Sequence, residues 1–148
     1  METAILRGRA IIGLIGIALL LNFSVVTKAE DRQAATKVAT SAAAQWLGLV
    51  DDRKYDESWD AAALYLRSAV PKEQFAQKLA AARDPLGKLV TRDLKSAQYA
   101  TSLPGAPDGQ YVVIQYASSF ENKKSAIETV TPMLDKDGKW RVSGYYIK

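Results

Sequence analysis

Gln110-Tyr-Val-Val-Ile-Gln-Tyr116, Lys124-Ser-Ala-Ile-Glu-Thr-Val-Thr-Pro-Met-Leu134 and Lys139-Trp-Arg-Val-Ser-Gly-Tyr-Tyr-Ile147 follow one another with only short polar gaps between them. All three runs are rich in β-branched and aromatic residues, which suit a pleated surface. Glu121-Asn122 forms one tight connection. Asp135-Lys-Asp-Gly138 forms the other, with Gly138 at the left-handed position that such a hairpin needs. Strands joined in this way make an antiparallel meander. A meander cannot bury its own apolar face, so the rest of the chain must cover it. One more strand precedes the three, over Leu89 to Thr101. Its alternation is poor, with Val90, Leu94 and Ala100 on one side and Ala97 and Tyr99 on the other. Leu103-Pro-Gly-Ala-Pro-Asp-Gly109 is a loop on its proline and glycine content.

The cover is helical. Ala39, Ala43, Trp46, Leu47 and Val50 recur at the spacing of one helical face, which predicts a helix over Asp31–Val50. After the polar turn Asp51-Asp52-Arg53-Lys54, Asp56 reads as the N-cap of a second helix. Trp59, Ala62, Ala63 and Leu66 would form its inward face. Pro71 suits the first position of a third helix, lined by Phe75, Leu79 and Ala82 and ended by Pro85. The fold class is therefore α+β. Three helices pack on one face of a curved four-stranded antiparallel sheet, in the order ααα-ββββ, as a single domain over 30–148.

The first 29 residues read differently. Arg7 and Arg9 precede an uncharged stretch from Ala10 to Thr27, and small residues follow at Thr27 and Ala29. This is the pattern of a secretory signal peptide cut between Ala29 and Glu30. The alternative is an uncleaved anchor in the inner membrane, the only contact with a membrane that the sequence suggests. Both readings place the folded part outside the cytoplasm, in the periplasm or secreted.

Composition excludes much chemistry. The chain has no cysteine and no histidine, so disulfides, thiolate nucleophiles, Ser-His-Asp triads and ordinary zinc or copper sites are out of reach. Neither a metal nor a cofactor is expected. The formal charge is +4. Removing residues 1–29 takes away Arg7, Arg9, Lys28 and Glu2 and leaves +2 on a mixed surface, which does not suit nucleic acid.

Glu128 is the one acid placed to interest a chemist. It sits mid-strand in register with Ala126 and Val130. If that face lined a cavity, Glu128 would be a desolvated carboxylate with a raised pKa and a possible base. The expectation is instead that it is exposed, since buried unpaired acids are uncommon. Asp56, Glu57 and Asp60 read as helix-terminal charges on a wet surface. Asp135 to Gly138 lacks the ligand spacing of a calcium loop. Trp46, Trp59, Tyr116 and Tyr146 are the candidate walls of a ligand pocket, although aromatics at such spacing usually belong to the core.

Ala43-Ala-Gln-Trp-Leu-Gly-Leu-Val50, Lys54-Tyr-Asp-Glu-Ser-Trp59 and Gly138-Lys-Trp-Arg-Val-Ser-Gly-Tyr-Tyr-Ile147, taken as a set, resemble the bacterial exported family called domain of unknown function 4019. The resemblance spans about residues 35 to 148. More distantly, the layout is similar to the cystatin-like, ketosteroid-isomerase-like cone. This implies helices over one face of a curved sheet, and it carries no activity, because the scaffold hosts enzymes and binders alike. The functional expectation is a non-catalytic exported domain. It would bind a small ligand between helices and sheet, or a protein through the sheet's open face, a homodimer included. A cone-type isomerase or hydrolase using a carboxylate and a tyrosine, and an anchored envelope accessory, are the alternatives.

Overall fold

The computed structural model describes the backbone from Gly16 and the side chains from Thr27, in both cases through Lys148. Arg7, Arg9 and the start of the apolar stretch lie outside the described residues. The chain divides at Asp31–Arg32 into two units, and the second, Arg32–Lys148, holds the sheet and the helices packed on it. Its elements are helix α1 (Gly16–Asp51, which begins in the first unit), α2 (Tyr55–Asp60), α3 (Leu64–Ala69), α4 (Lys72–Arg83), a 3₁₀ turn (Asp84–Leu86) and four strands. The strands are β1 (Leu89–Ala100), β2 (Tyr111–Phe120), β3 (Lys123–Leu134) and β4 (Trp140–Ile147). They pair antiparallel in the order β1-β2-β3-β4, which is the expected meander. Among the described residues, no helix is long and apolar enough to cross a membrane.

The core forms where α1 lies over the sheet. Ala39, Ala43, Trp46, Leu47 and Val50 are all buried, as their spacing requires, against Val112, Ile114, Tyr116, Val130 and Val142. Small residues on α1 let the helix approach, and Trp46 fills the space near its end. The indole donates to the Ser58 carbonyl at 2.8 Å, so its one polar group is satisfied inside the core.

The second helix differs from the expectation. It is two short helices, because the chain breaks at Ala61–Ala63. There the Ala63 amide leaves the helical pattern and donates to the Val142 carbonyl of β4 at 2.8 Å. Alanine favours helix, so this break is a tertiary override of local propensity. The inward positions still hold, with Ala62, Ala63 and Leu66 buried and Trp59 half-buried. Asp56 is not the N-cap; Lys54 holds that position, with Asp56 and Glu57 in the first turn. Pro71 sits one place earlier than expected, as the N-cap of α4, and Ala82 is exposed.

The poor alternation of β1 has a physical cause. Its register against β2 shifts twice, between Leu89 and Thr91 and between Leu94 and Ser96. Each irregularity inserts a residue and changes which parity faces inward. Arg92 and Tyr99 therefore share the helix-covered face despite opposite parity, while Val90 and Leu94 are exposed. Gly138 adopts φ +79°, as the hairpin demanded.

Helix α1 ends in a Schellman arrangement, in which Lys54 N donates to Leu49 O at 2.9 Å and Arg53 N to Val50 O at 3.1 Å. The residue in the left-handed position is Arg53, at φ 59°, where glycine is the usual occupant. Its ion pair with Asp84, at 3.6 Å between half-exposed groups, stabilises little. Arg53→Gly should therefore stabilise the protein by roughly 0.5–1 kcal/mol in urea denaturation, since a non-glycine residue is strained there. A loss of stability would mean that the Arg53 side chain matters more than its backbone strain.

Candidate functional site

Two places in this domain gather functional groups. The first is inside. Glu128 is completely buried, which corrects the expectation of an exposed carboxylate. It lies on the helix-covered face, and its partners come from three other strands. Arg92 of β1 donates through Nε to Oε1 at 2.8 Å and through Nη2 to Oε2 at 3.1 Å. Ser118 of β2 donates to Oε1, and Tyr145 of β4 to Oε2 at 2.7 Å. The other side of the Arg92 fork grips Asp51, at the end of α1, at 2.7 and 3.0 Å. Asp51 in turn accepts from Arg83 Nη2, at the end of α4, at 2.7 Å. The Arg83 guanidinium lies 4.2 Å from the centre of the Phe120 ring.

The result is an alternating chain, Arg83–Asp51–Arg92–Glu128, two cations and two anions, with Glu128 at its buried end. Burial alone would push the Glu128 carboxyl up. The hydrogen bonds from Arg92 and Ser118, the charge of Arg92 and the Tyr145 hydroxyl outweigh it and hold the group below its ordinary value. The Tyr145 hydroxyl is pushed up, first by burial and then by the neighbouring carboxylate. Burial disfavours the charge on Arg92, but its bonds to Asp51 and Glu128 hold its proton more firmly still. A general base needs a pKa near the working pH and a free lone pair facing substrate. Glu128 has the opposite properties, being held ionised by four donated hydrogen bonds.

The second place is a cleft of about 490 Å³ between α3, α4 and the free edge of β4. Leu66, Phe75, Leu79 and Ile147 contribute its apolar wall, with Ala69, Val70 and Ala82 beside them. Lys78 is its one charged lining residue, and it makes no hydrogen bond or ion pair among the described residues. Tyr146, 61% exposed, stands at its rim. A further cleft, of about 600 Å³, lies where Tyr65 and Arg67 face the loop at Pro107–Gly109 and the β3–β4 turn. Arg67 of this cleft lies over the Trp59 ring, and Arg141 donates to both Asp135 and Asp137 at 2.8–2.9 Å. That bidentate hold lowers the Asp137 carboxyl to about 2.

The four aromatic candidates part company. Trp46 and Tyr116 are core, with the Trp46 ring 5.5 Å from that of Tyr145. Trp59 is half-buried with its indole donating to the Val70 carbonyl, and Lys72 and Arg67 lie over its ring. Tyr146 alone of the four lines the apolar cleft. Lys78, Phe75 and Leu79 were not singled out as site residues by their sequence. The available signal was α4 itself, where an apolar stripe carries a lysine one position before its buried leucine. No group of acids that could hold a metal is present among the described residues.

Helices followed by an open four-stranded antiparallel meander, packed against it on one face, define an α+β domain of the helix-on-sheet kind. The chain belongs to the family described as protein of unknown function DUF4019, whose model matches residues 42–145. No curated protein matches it. The matched span contains the whole charge chain and all of the cleft lining except Tyr146 and Ile147.

The charge chain makes a prediction by double-mutant cycle. Glu128→Leu leaves Arg92 half-paired and two hydroxyls without an acceptor, and should cost about 3–5 kcal/mol. Adding Arg92→Met removes the stranded charge, so the double variant should be less destabilised than the sum of the singles by at least about 1 kcal/mol. Additive losses would show that the pair does not act as a unit.

Proposed function

We propose that this protein is an exported, non-catalytic binding domain, and that its ligand places an apolar group in the cleft between α3, α4 and β4. The observation that carries this reading is the contrast between the two places. The only fully buried acid among the described residues is saturated by internal partners, whereas the cleft presents apolar wall with nothing described to fill it. Its volume falls within the range of ordinary ligand sites, ~300–1,000 Å³. Clefts of this kind owe affinity to apolar area and orientation to a few polar groups at the rim. Lys78 and Tyr146 supply those groups here.

Export is part of the proposal and rests on the charge and hydropathy pattern of residues 1–29. The bond Ala29–Glu30 falls within α1. If the segment is a signal peptide, the mature protein begins at Glu30. The retained-anchor reading predicts a chain that keeps its first residues and sediments with membranes.

Ala82 gives a clean test of the cleft, because it lines the cleft yet is exposed, so a larger side chain there leaves the core alone. The fluorescent apolar probe 1-anilinonaphthalene-8-sulfonate should bind the native protein with enhanced emission. Ala82→Trp should weaken that binding tenfold or more with an unchanged denaturation midpoint. Equal binding by the variant would remove the cleft as the binding site.

A further inference from the structure

The cleft has a second property that its apolar wall does not explain: one side of it is an unpaired strand edge. β4 is the last strand of the sheet, hydrogen-bonded on one side only, to β3. Lys148 and Ile127 exchange both main-chain bonds, at 2.9 and 3.1 Å. In an antiparallel ladder this pattern alternates, so Tyr146 opposite Thr129 and Gly144 opposite Thr131 also turn their main-chain groups toward β3. The main-chain N–H and C=O of Tyr145 and Ile147 then point the other way, to the open edge. They have no partner among the described residues.

Among the described residues, one main-chain hydrogen bond covers the outer edge. The Val142 carbonyl accepts from the Ala63 amide, where α3 begins. Beyond that point, Ser143 to Ile147 borders the cleft directly, with the α4 residues Phe75, Lys78 and Leu79 across from it. Gly144 has no side chain to obstruct an approach, and a Cβ there would meet only the Thr131 Cβ, at 3.9 Å. Exposed strand edges are usually blunted by charge, proline or cover on the strand itself. From Ser143 to Ile147 this strand carries no charge and no proline, and an apolar wall and Lys78 of α4 stand across from it.

We infer that the ligand of this cleft is an extended peptide segment that adds to the free edge of β4, pairing with Tyr145 and Ile147. It sends an aliphatic side chain between Leu66, Phe75 and Leu79 and an acidic group to Lys78. The inference rests on the cleft being the binding site, and adds to it the chemical class of the ligand. The main-chain donors and acceptors select a peptide over a simple amphiphile, because only a peptide can satisfy both kinds of group at a strand repeat. The alternation of a strand gives specificity, since one side chain faces the cleft while the next passes over to the face of Tyr146. Among the described residues the Lys78 ammonium is unpaired and is the only charge lining the cleft, which favours a partner with a carboxylate there.

The experiment uses the full chain and a displayed library of random linear decapeptides, followed by fluorescence anisotropy on synthetic peptides from the selected consensus. Expected are sequences with an aliphatic residue at a fixed spacing from an acidic one. Binding should slow amide hydrogen exchange at Tyr145 and Ile147 selectively. Methylating alternate backbone nitrogens of the peptide, on the side that pairs, should weaken binding at least tenfold. Lys78→Gln should weaken the acidic peptide about tenfold and leave its amide-substituted analogue unchanged. Selected peptides that bind equally well after backbone methylation in either alternate set, or that leave the two amides unprotected, overturn the inference. If no peptide is selected while the naphthalene probe still binds and Ala82→Trp still blocks it, the peptide inference falls and the cleft stands. If neither peptide nor probe binds, both fall.

Discussion

The alternating chain of charges from Arg83 through Asp51 and Arg92 to Glu128 is the interaction on which the rest of the domain depends. It takes in the ends of α1 and α4, and with Ser118 and Tyr145 it touches all four strands. Charges so far from water are costly, and they persist because each is matched by an opposite charge. Glu128 accepts four hydrogen bonds, whereas Arg83 donates one, to Asp51, and its Nε and Nη1 have no hydrogen-bond partner among the described residues. The arrangement also fixes registration. A slip of one residue in β3 would carry Glu128 to the other face of the sheet and leave Arg92 with half its partners. The double irregularity in β1 makes sense in the same terms, since it brings Arg92 to the inner face while Tyr99 keeps its place against the core.

That interior bears on the proposed function. A carboxylate and a tyrosine do meet inside this fold, as a cone-type enzyme would require, but they meet as Tyr145 donating to an ionised Glu128 that three other hydrogen bonds already hold. The geometry locks a proton balance and offers no group for transfer. Phe75, Leu79 and Leu66, which in a closed bundle would meet a further element, border a cleft instead, and the neighbouring edge of β4 has main-chain groups to spare. The same strand thus borders both places, with Tyr145 turned inward to the charge chain and its own backbone turned outward to the cleft.

The fold was legible because its signals are local. Strands β2 to β4 announce themselves by composition, Gly138 marks the hairpin, and the α1 positions from Ala39 to Val50 are buried as their spacing says. What was not legible depends on distant partners. The break at Ala61–Ala63 is made by a β4 carbonyl, and an alanine run carries no sign of it. The burial of Glu128 depends on Arg92, which lies 36 residues earlier. The shifts in β1 hide that arginine from any reading of alternation. A single acid among apolar neighbours on a strand is weak information until a cation is found on the same face. The cleft was invisible for a related reason, since it is defined by what α3 and α4 leave uncovered.

The most direct measurement is a carbon-13 titration of the Glu128 carboxyl by nuclear magnetic resonance. Because Arg92, Ser118 and Tyr145 favour the ionised form, the midpoint should fall below the ordinary value of 4.5. The linked stability is then fully present above that value and is lost as pH falls through the lower folded midpoint. A midpoint of about 6 or higher, the range in which buried carboxyls act as acids and bases, would contradict the account and return Glu128 to the position of a catalytic group.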